Sequence, residues 1–424
     1  MKITTSLENI QAFGGLNFIS NEFDKLELGK LIDNQLGSRG IFAKFSYADV
    51  IKNLWLLAFA GGDCSEDIQS HLKNELKSTI GTNVCSADTL LRVQKELATS
   101  TKTIFSKNTI ENEINTNTTL NSLNIKFLNK LNVFNSTTLY DLDFDNQFVE
   151  TEKYDAKKGY KMKHGYFPSV ASIGKNTVYF ENRNGNSNVK FLQYETLEEI
   201  FKLLNQNKIN IGRARMDCGS FTKDVIKVVE KNANQFYIRA QKCENLTEEI
   251  KNVTNWETVE INFKKVQVAS IEYKPFSEDK VYRYVISREA NQTGQIDAFQ
   301  QDNFIYRAII TNDFVISGLD VILFYNQRGA PEKIFDELNN DFLWKNLPFS
   351  FLNENTVFMM IMAMCRNFYL AIVENFSKKL DFIKSNFRLK KFIFRFVVVP
   401  YKWIKKGGQK TLKLFTDKSY ERLV

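Results

Sequence analysis

At 424 residues the chain is long enough for two or three domains and a sizeable buried core. Hydrophobic residues make up 43% and charged residues 25%, the balance of a soluble globular protein rather than a disordered or fibrous one. The formal net charge of +8 favours polyanionic partners. Cys64, Cys85, Cys218, Cys243 and Cys365 form no CxxC pair, and the chain has two histidines. Zinc chemistry and a disulfide scaffold are therefore not expected, and a reducing cytoplasm suits the composition. The opening MKITTSLENIQAFGG lacks the apolar core of a secretory signal. The most apolar segment, Thr356 to Val373, is interrupted by Arg366 and Asn367, so a buried helix is expected there and no membrane partner.

Residues 1–98 read as a helical N-terminal domain. Ser46 followed by Asp49 resembles a capping box ahead of Val50, Ile51, Leu54, Leu57 and Ala58, and Gly61-Gly62 ends that helix. Ser86 opens another, with Leu90, Leu91, Val93 and Leu97 on its buried side. Short helices joined by glycine turns suit either a DNA-end-binding module or plain helical packing. Residues 99–135, rich in Thr and Asn, read as a linker, part helical.

From residue 136 to 240 the pattern is that of a mixed sheet covered by helices, an α/β core. TTLYDLDFDNQ alternates as a strand, placing Asp141, Asp143 and Asp145 on one face and Leu142 and Phe144 on the other. Such a face is either a cation site or an edge strand running into a polar turn. INIGRARMD is a strand ending at Asp217, where a catalytic carboxylate and a helix cap are both reasonable. Residues 241–305 read as a β-rich insertion, in which Trp256 and Lys264-Lys265 offer either core packing or contacts to nucleic acid. The core resumes over 306–380. There Tyr325, Arg328 and Glu332 stand at spacings of three and four, with Pro331 placing Glu332 in a first helical turn. A guanidinium, a phenol and a carboxylate suit an anionic, oxygen-rich substrate, although Arg and Glu at this spacing also make an ordinary solvated face. Residues 381–424 form a basic tail, expected to be helical. Ten Lys or Arg and no acid lie between Lys384 and Lys413, interleaved with aromatics, as suits a phosphate backbone, an acidic membrane surface or a solvated helix face.

The ordered series DFDNQ, EKYDAKKGY, KHGYFPSVASIG, FENRNGN, RMDCGSF, FYIRA and YNQRGAPEKIFDELNNDF resembles the DDE transposases of bacterial insertion sequences, from about Tyr140 to Asn367. The nearest branch is the one with a Tyr-Arg-Glu-Lys motif, the thirteen-eighty family. The resemblance implies a ribonuclease-H-like core with a β insertion, and a two-metal phosphodiester chemistry using Mg2+, with Mn2+ as substitute. It implies Asp145, Asp217 and Glu332 as catalytic and metal-holding residues, with Asp143 a competitor for the first place. Tyr325 and Arg328 would grip substrate phosphate. The family's small residue and Thr after the first Asp are Asn146 and Gln147 here, and its motif Lys is Asn339, with Lys333 or Lys345 as substitutes. The implied partners are double-stranded DNA, as terminal inverted repeats and target, and a second copy in a synaptic homodimer, acting in the bacterial cytoplasm at the nucleoid. Arg183, Lys264, Lys265, Lys390, Lys391, Arg395, Lys402, Lys405 and Lys406 are the candidate DNA contacts. A descendant that binds DNA without cutting, or a nuclease unconnected with mobility, are the alternatives.

Overall fold

Apolar residues at helical spacing open the chain as α1 (Leu16–Lys25), α2 (Leu28–Leu36) and α3 (Tyr47–Phe59). The short α4 (Asp67–Ser70) and α5 (Lys73–Ser78) precede α6 (Ala87–Glu96). The computed structural model describes residues 1–424 apart from positions 6, 107–108, 161, 242, 277–279, 292–303 and 424. The start of α3 is the capping box expected: Ser46 Oγ accepts the Asp49 amide at 3.1 Å, and Asp49 Oδ2 accepts the Ser46 amide at 3.0 Å. Gly61, at φ +82°, turns the chain out of that helix in a conformation that disfavours a Cβ.

The Thr- and Asn-rich stretch read as a linker is folded into β1 (Lys102–Phe105), β2 (Glu111–Asn115) and α7 (Thr118–Lys130). Asn112, Asn115, Asn117, Asn121 and Asn124 are polar in composition but buried in use. Asn121 on α7 bonds both polar groups of Phe180, its Nδ2 donating to the carbonyl at 2.8 Å and its Oδ1 accepting the amide at 2.9 Å. A side chain that substitutes for a neighbouring strand's backbone looks like a loop residue in one dimension.

The sheet that follows is built from β3 (Leu139–Asn146), β7 (Ser169–Ile173), β8 (Asn176–Arg183), β9 (Asn210–Met216) and β10 (Gln235–Arg239). Between β3 and β7 lies a small separate sheet of β4 (Val149–Glu150), β5 (Lys157–Lys158) and β6 (His164–Tyr166). In space the larger strands run β8-β7-β3-β9-β10, with β7 antiparallel to its neighbours and β9 parallel to both β3 and β10. Helices α8 (Gln193–Gln206) and α9 (Lys223–Asn232) make the connections on either side of β9. A mixed α/β sheet of this order is consistent with the ribonuclease-H-like core that the resemblance implies.

The segment read as an insertion contains α10 (Glu244–Lys251), β11 (Glu257–Ile261), β12 (Lys264–Tyr273) and β13 (Tyr282–Ala290). Rather than forming a sheet of their own, its strands continue the core through β14 (Phe304–Thr311), which pairs with both β13 and β10. With β1 and β2 added beside β8, eleven strands form one sheet among the described residues. Then come α11 (Gly318–Asn326), α12 (Gly329–Asn340), α13 (Leu352–Lys379) and the short α14 (Leu389–Phe392).

The basic end departs from the helical expectation. After one π-type turn at Ile393–Val397 the chain forms β15 (Tyr401–Lys406) and β16 (Gln409–Leu414), an antiparallel hairpin. Gly407 and Gly408, at φ +57° and +81°, supply the two left-handed positions that the tight turn demands.

Helix α13 is long and apolar enough to cross a membrane, yet 89% of its apolar window is buried within the protein. It is the spine on which the helical part packs. Trp55 Nε1 of α3 donates to the Ile361 carbonyl at 3.0 Å, and the Trp55 and Phe368 rings stack at 5.4 Å. Arg366 and Asn367, which marked this segment as non-spanning, fasten the spine: Arg366 pairs with Glu337 at 2.7 Å, and Asn367 bonds the Thr177 amide and carbonyl of β8. The helices of residues 1–98 share this one core with α13 and the C-terminal residues Phe396, Tyr420 and Leu423.

Candidate active site

Alternation along β3 buries Leu142 and Phe144 in the helix-covered core and turns Asp141, Asp143 and Asp145 to the other face. Carboxylates so arranged repel one another unless a cation intervenes. The neighbouring β9 supplies two. Arg213 grips both oxygens of Asp141 at 2.7 Å, and Arg215 grips both oxygens of Asp143 at 2.8 and 2.7 Å. Helix α11 closes over these pairs: the Phe324 ring lies 3.9 Å from the Arg213 guanidinium carbon and 4.5 Å from that of Arg215. The Phe324 carbonyl accepts Arg215 Nη1 at 2.8 Å. Asp143, the competitor for the first acidic place, thus has both oxygens engaged and is 1% exposed.

One step further along the strands the arginines stop. Phe144 pairs with Met216, so Asp145 and Asp217 emerge side by side at the carboxyl ends of parallel neighbours, the usual position of a site in such sheets. Asp145 Oδ1 accepts the Asn146 amide at 2.9 Å, and Oδ2 lies 3.2 Å from Arg328 Nη1. Burial pushes the Asp145 carboxyl up to about 6, with Arg328 opposing and the Asp217 charge adding to the rise. Asp217 Oδ1 accepts the Gly219 amide at 2.9 Å, which is the capping role its sequence context offered.

Arg328 and Tyr325 approach from the junction of α11 and α12. Arg328 Nη1 is buried and makes no aligned hydrogen bond, so its ion pair with Asp145 leaves a donor unused. Tyr325 is buried, its hydroxyl held protonated by desolvation and donated to the Met216 carbonyl at 3.1 Å. It ties down the end of β9 one residue before Asp217. Glu332 lies in the first turn of α12, as Pro331 indicated, and is exposed. Asp145, Asp217 and Glu332 do not all lie with ligand atoms within 4.8 Å of one another: among the described residues the only such trio of His, Cys, Asp or Glu is Asp63, Cys64 and Asp67. Ion pairing and mutual charge effects link Asp145, Asp217, Tyr325 and Arg328.

Two turns beyond Glu332, Asn339 Nδ2 donates to Gln147 Oε1 at 3.0 Å, while Asn339 Oδ1 is buried without a partner. Lys345 lines the same cleft and reaches Asn340 Oδ1 at 2.8 Å. Lys333, the other substitute considered, is exposed on α12.

The candidate DNA contacts divide. Arg183 is corrected: it is 1% exposed and consumed by Glu181, Thr196 Oγ1 and the Phe191 carbonyl, so no phosphate reaches it. Lys264 and Lys265 are exposed beside the Asn262-Phe263 turn, and Phe263 itself is 97% exposed. Trp256 is half-buried, with Arg288 over its ring at 4.0 Å. Lys390, Lys391, Arg395, Lys405 and Lys406 are exposed, while Lys402 pairs with Glu8 at 2.6 Å. Arg213 and Arg215 are the residues that sequence reasoning passed over. Their signal was present, since two cations spaced by two in GRARMD match the acids spaced by two in DLDFD.

Over residues 7–422 the chain matches the family described as transposase DDE domain group 1. No curated protein matches it in sequence. Among solved structures it is similar to the piggyBac transposase in a synaptic complex with hairpin DNA, at 13% identity and a TM-score of 0.43, covering 90% of this chain and 78% of that one. Matched across nearly its whole length, the chain belongs to the DDE-domain transposases of group 1.

Proposed function

We propose that the protein is an insertion-sequence transposase of the Tyr-Arg-Glu-Lys branch that cleaves phosphodiester bonds at the ends of its element and transfers the 3′ ends to target DNA. The observation that carries this reading is the contrast along β3 and β9. Asp141 and Asp143 are each neutralised by a bidentate arginine, whereas among the described residues the Asp145–Asp217 pair has an ion pair with Arg328 alone, and burial drives the Asp145 proton affinity up. Two adjacent carboxylates short of positive charge suit a hard divalent cation, magnesium with manganese as substitute. Asp145 and Asp217 would hold it, and Glu332 would complete the set. When bound, such ions neutralise charge on the attacking and leaving oxygens of a phosphodiester.

The other residues act on position. Tyr325 fixes the end of β9 and so the direction of Asp217, a positioning role. Arg328 carries a spare buried donor beside Asp145, suited to a phosphate oxygen entering the site. The DNA substrates would be terminal inverted repeats and target, handled by two copies of the chain in one synaptic complex in the bacterial cytoplasm.

Asp217→Ala and Glu332→Ala, assayed on a duplex bearing the element end in Mg2+, should each abolish cleavage while leaving end binding within about threefold of wild type. Persistent nicking by both variants would overturn the assignment. A second reading, a descendant that binds DNA and no longer cuts, is favoured by the exposure of Glu332, by the three acids not all lying within 4.8 Å of one another, and by Asn339. It requires that the wild-type chain itself fail to cleave in Mg2+ or Mn2+. Cleavage without preference for terminal repeats would instead mark a nuclease unconnected with mobility.

A further inference from the structure

The C-terminal hairpin β15–β16 carries five lysines in twelve residues around a turn that has no side chains. Register places Lys405 directly opposite Lys410 and Lys402 directly opposite Lys413. Like charges facing each other across an antiparallel pair destabilise it, so the hairpin is built against its own stability. Glu8 answers Lys402 at 2.6 Å and also acts on Lys413. Among the described residues, Lys405, Lys406 and Lys410 have no acidic partner within ion-pair distance. Lys410 lies instead 4.6 Å from the centre of the Trp403 ring.

The base of the hairpin is fixed and its tip is free. Gln11 and Tyr401 exchange both backbone hydrogen bonds at 2.8 Å, Trp403 Nε1 donates to the Ser78 carbonyl, and Tyr401 is fully buried. At the tip, a Cβ on Gly407 or Gly408 would meet nothing within 4 Å. The apolar residues Tyr401, Trp403, Ile404, Leu412 and Leu414 are buried or half-buried, while Lys405, Lys406, Gln409, Lys410 and Lys413 are exposed. A membrane would need exposed apolar groups to insert; this ribbon exposes cations on a stiff, narrow arm of roughly 20 Å. That figure is the arm's length; in width a two-stranded ribbon fits the major groove of duplex DNA, about 12 Å across.

We infer that this hairpin is a DNA-contacting arm, its lysines seated on duplex phosphates. The inference rests on the reading of the chain as a DNA transposase, and assigns to the hairpin a share of binding that the acidic site does not provide.

The test measures duplex affinity of the full-length chain against NaCl from about 50 to 200 mM. One variant combines Lys405→Ala, Lys406→Ala and Lys410→Ala; a charge-matched control combines Lys202→Ala, Lys231→Ala and Lys251→Ala, all exposed on helices away from the hairpin sequence. Each lost phosphate contact lowers the log–log salt slope by about 0.9, so the hairpin variant should lose roughly 2.7 and bind about tenfold or more weakly at physiological salt. The control should keep the wild-type slope, and the hairpin variant should melt no earlier than wild type because a repulsive pair is removed. Equal slopes and affinities for wild type and hairpin variant would overturn the inference while leaving the transposase reading standing. So would a loss confined to vesicles containing phosphatidylserine. If binding depends on the hairpin but the wild-type chain cuts no duplex in Mg2+, the hairpin assignment holds and the transposase reading falls.

Discussion

Asp143 and Asp145 differ by two positions and one arginine. The first is locked in a bidentate pair with Arg215; the second has the Asn146 amide and, for positive charge, one contact from Arg328. Removing Arg215 would strand a carboxylate that is 1% exposed. Arg215→Ala should therefore cost about 3–5 kcal/mol of stability in urea unfolding, the penalty for an orphaned buried charge. Arg213→Ala, at a half-exposed pair, should cost about 1 kcal/mol or less. Asp145 gives a pH signature. Its folded proton affinity is raised, so between the ordinary carboxylate value and about 6 the folded chain keeps a proton that the unfolded chain has released. The stability this group contributes is present at low pH and lost as pH rises through about 6. Activity runs the other way: cleavage in Mg2+ should fall about tenfold per pH unit below about 6 and level off above it, as a pH–rate profile would show. At this scale the sequence was legible for side-chain direction, because period-two alternation dictates which acids share a face. It was silent on which of those acids was free, since that depends on a strand more than seventy residues away.

Helix α12 is the element on which the candidate site depends. Its first turn carries Glu332 and its third carries Asn339, and the contact of Asn339 with Gln147 holds the helix against the end of β3. A lysine at 339 would replace a buried, unsatisfied amide oxygen with a flexible cation able to reach the cleft where Lys345 already lies. If Lys345 serves in its place, Lys345→Ala should lower the rate of end cleavage several-fold, and adding Asn339→Lys should restore it. A double-mutant cycle measures that coupling, and additive effects would exclude the substitution. The helix itself was legible, through Pro331 at its start and Ile334, Phe335 and Leu338 on its buried side. The strands of 99–115 and the basic hairpin were not. In the first, asparagines serve as internal hydrogen-bond partners. In the second, lysine and aromatic residues suit either a helix or a strand, and only the Gly407-Gly408 turn separates them.

Across the molecule, one helical core unites residues distant in sequence. Phe18 stacks on Tyr420 at 5.3 Å, and Phe396 packs on Phe376 at 5.0 Å, so α1 and α13 are both completed by the last thirty residues. A chain ending at residue 388 would uncover these aromatic faces, each worth about 1.5–3 kcal/mol when buried. It should be recovered as aggregate or bind a hydrophobic dye, whereas the hairpin lysine variant stays folded; light scattering and thermal melts distinguish the two. The sequence suggested a front domain, a core and a tail because its composition shifts at those boundaries. Composition does not reveal that the two outer segments meet.

The seam between Gln11 and Tyr401 has a consequence for synthesis. Residue 11 leaves the ribosome early and must wait until residue 401 has been made before its bridge partner exists. The apolar core around α13, which includes Phe396, Tyr420 and Leu423, cannot be completed in the meantime. For a protein that would break the chromosome encoding it, folding would thereby act as proofreading: a translation product that stops short of residue 401 lacks the backbone that Gln11 pairs with.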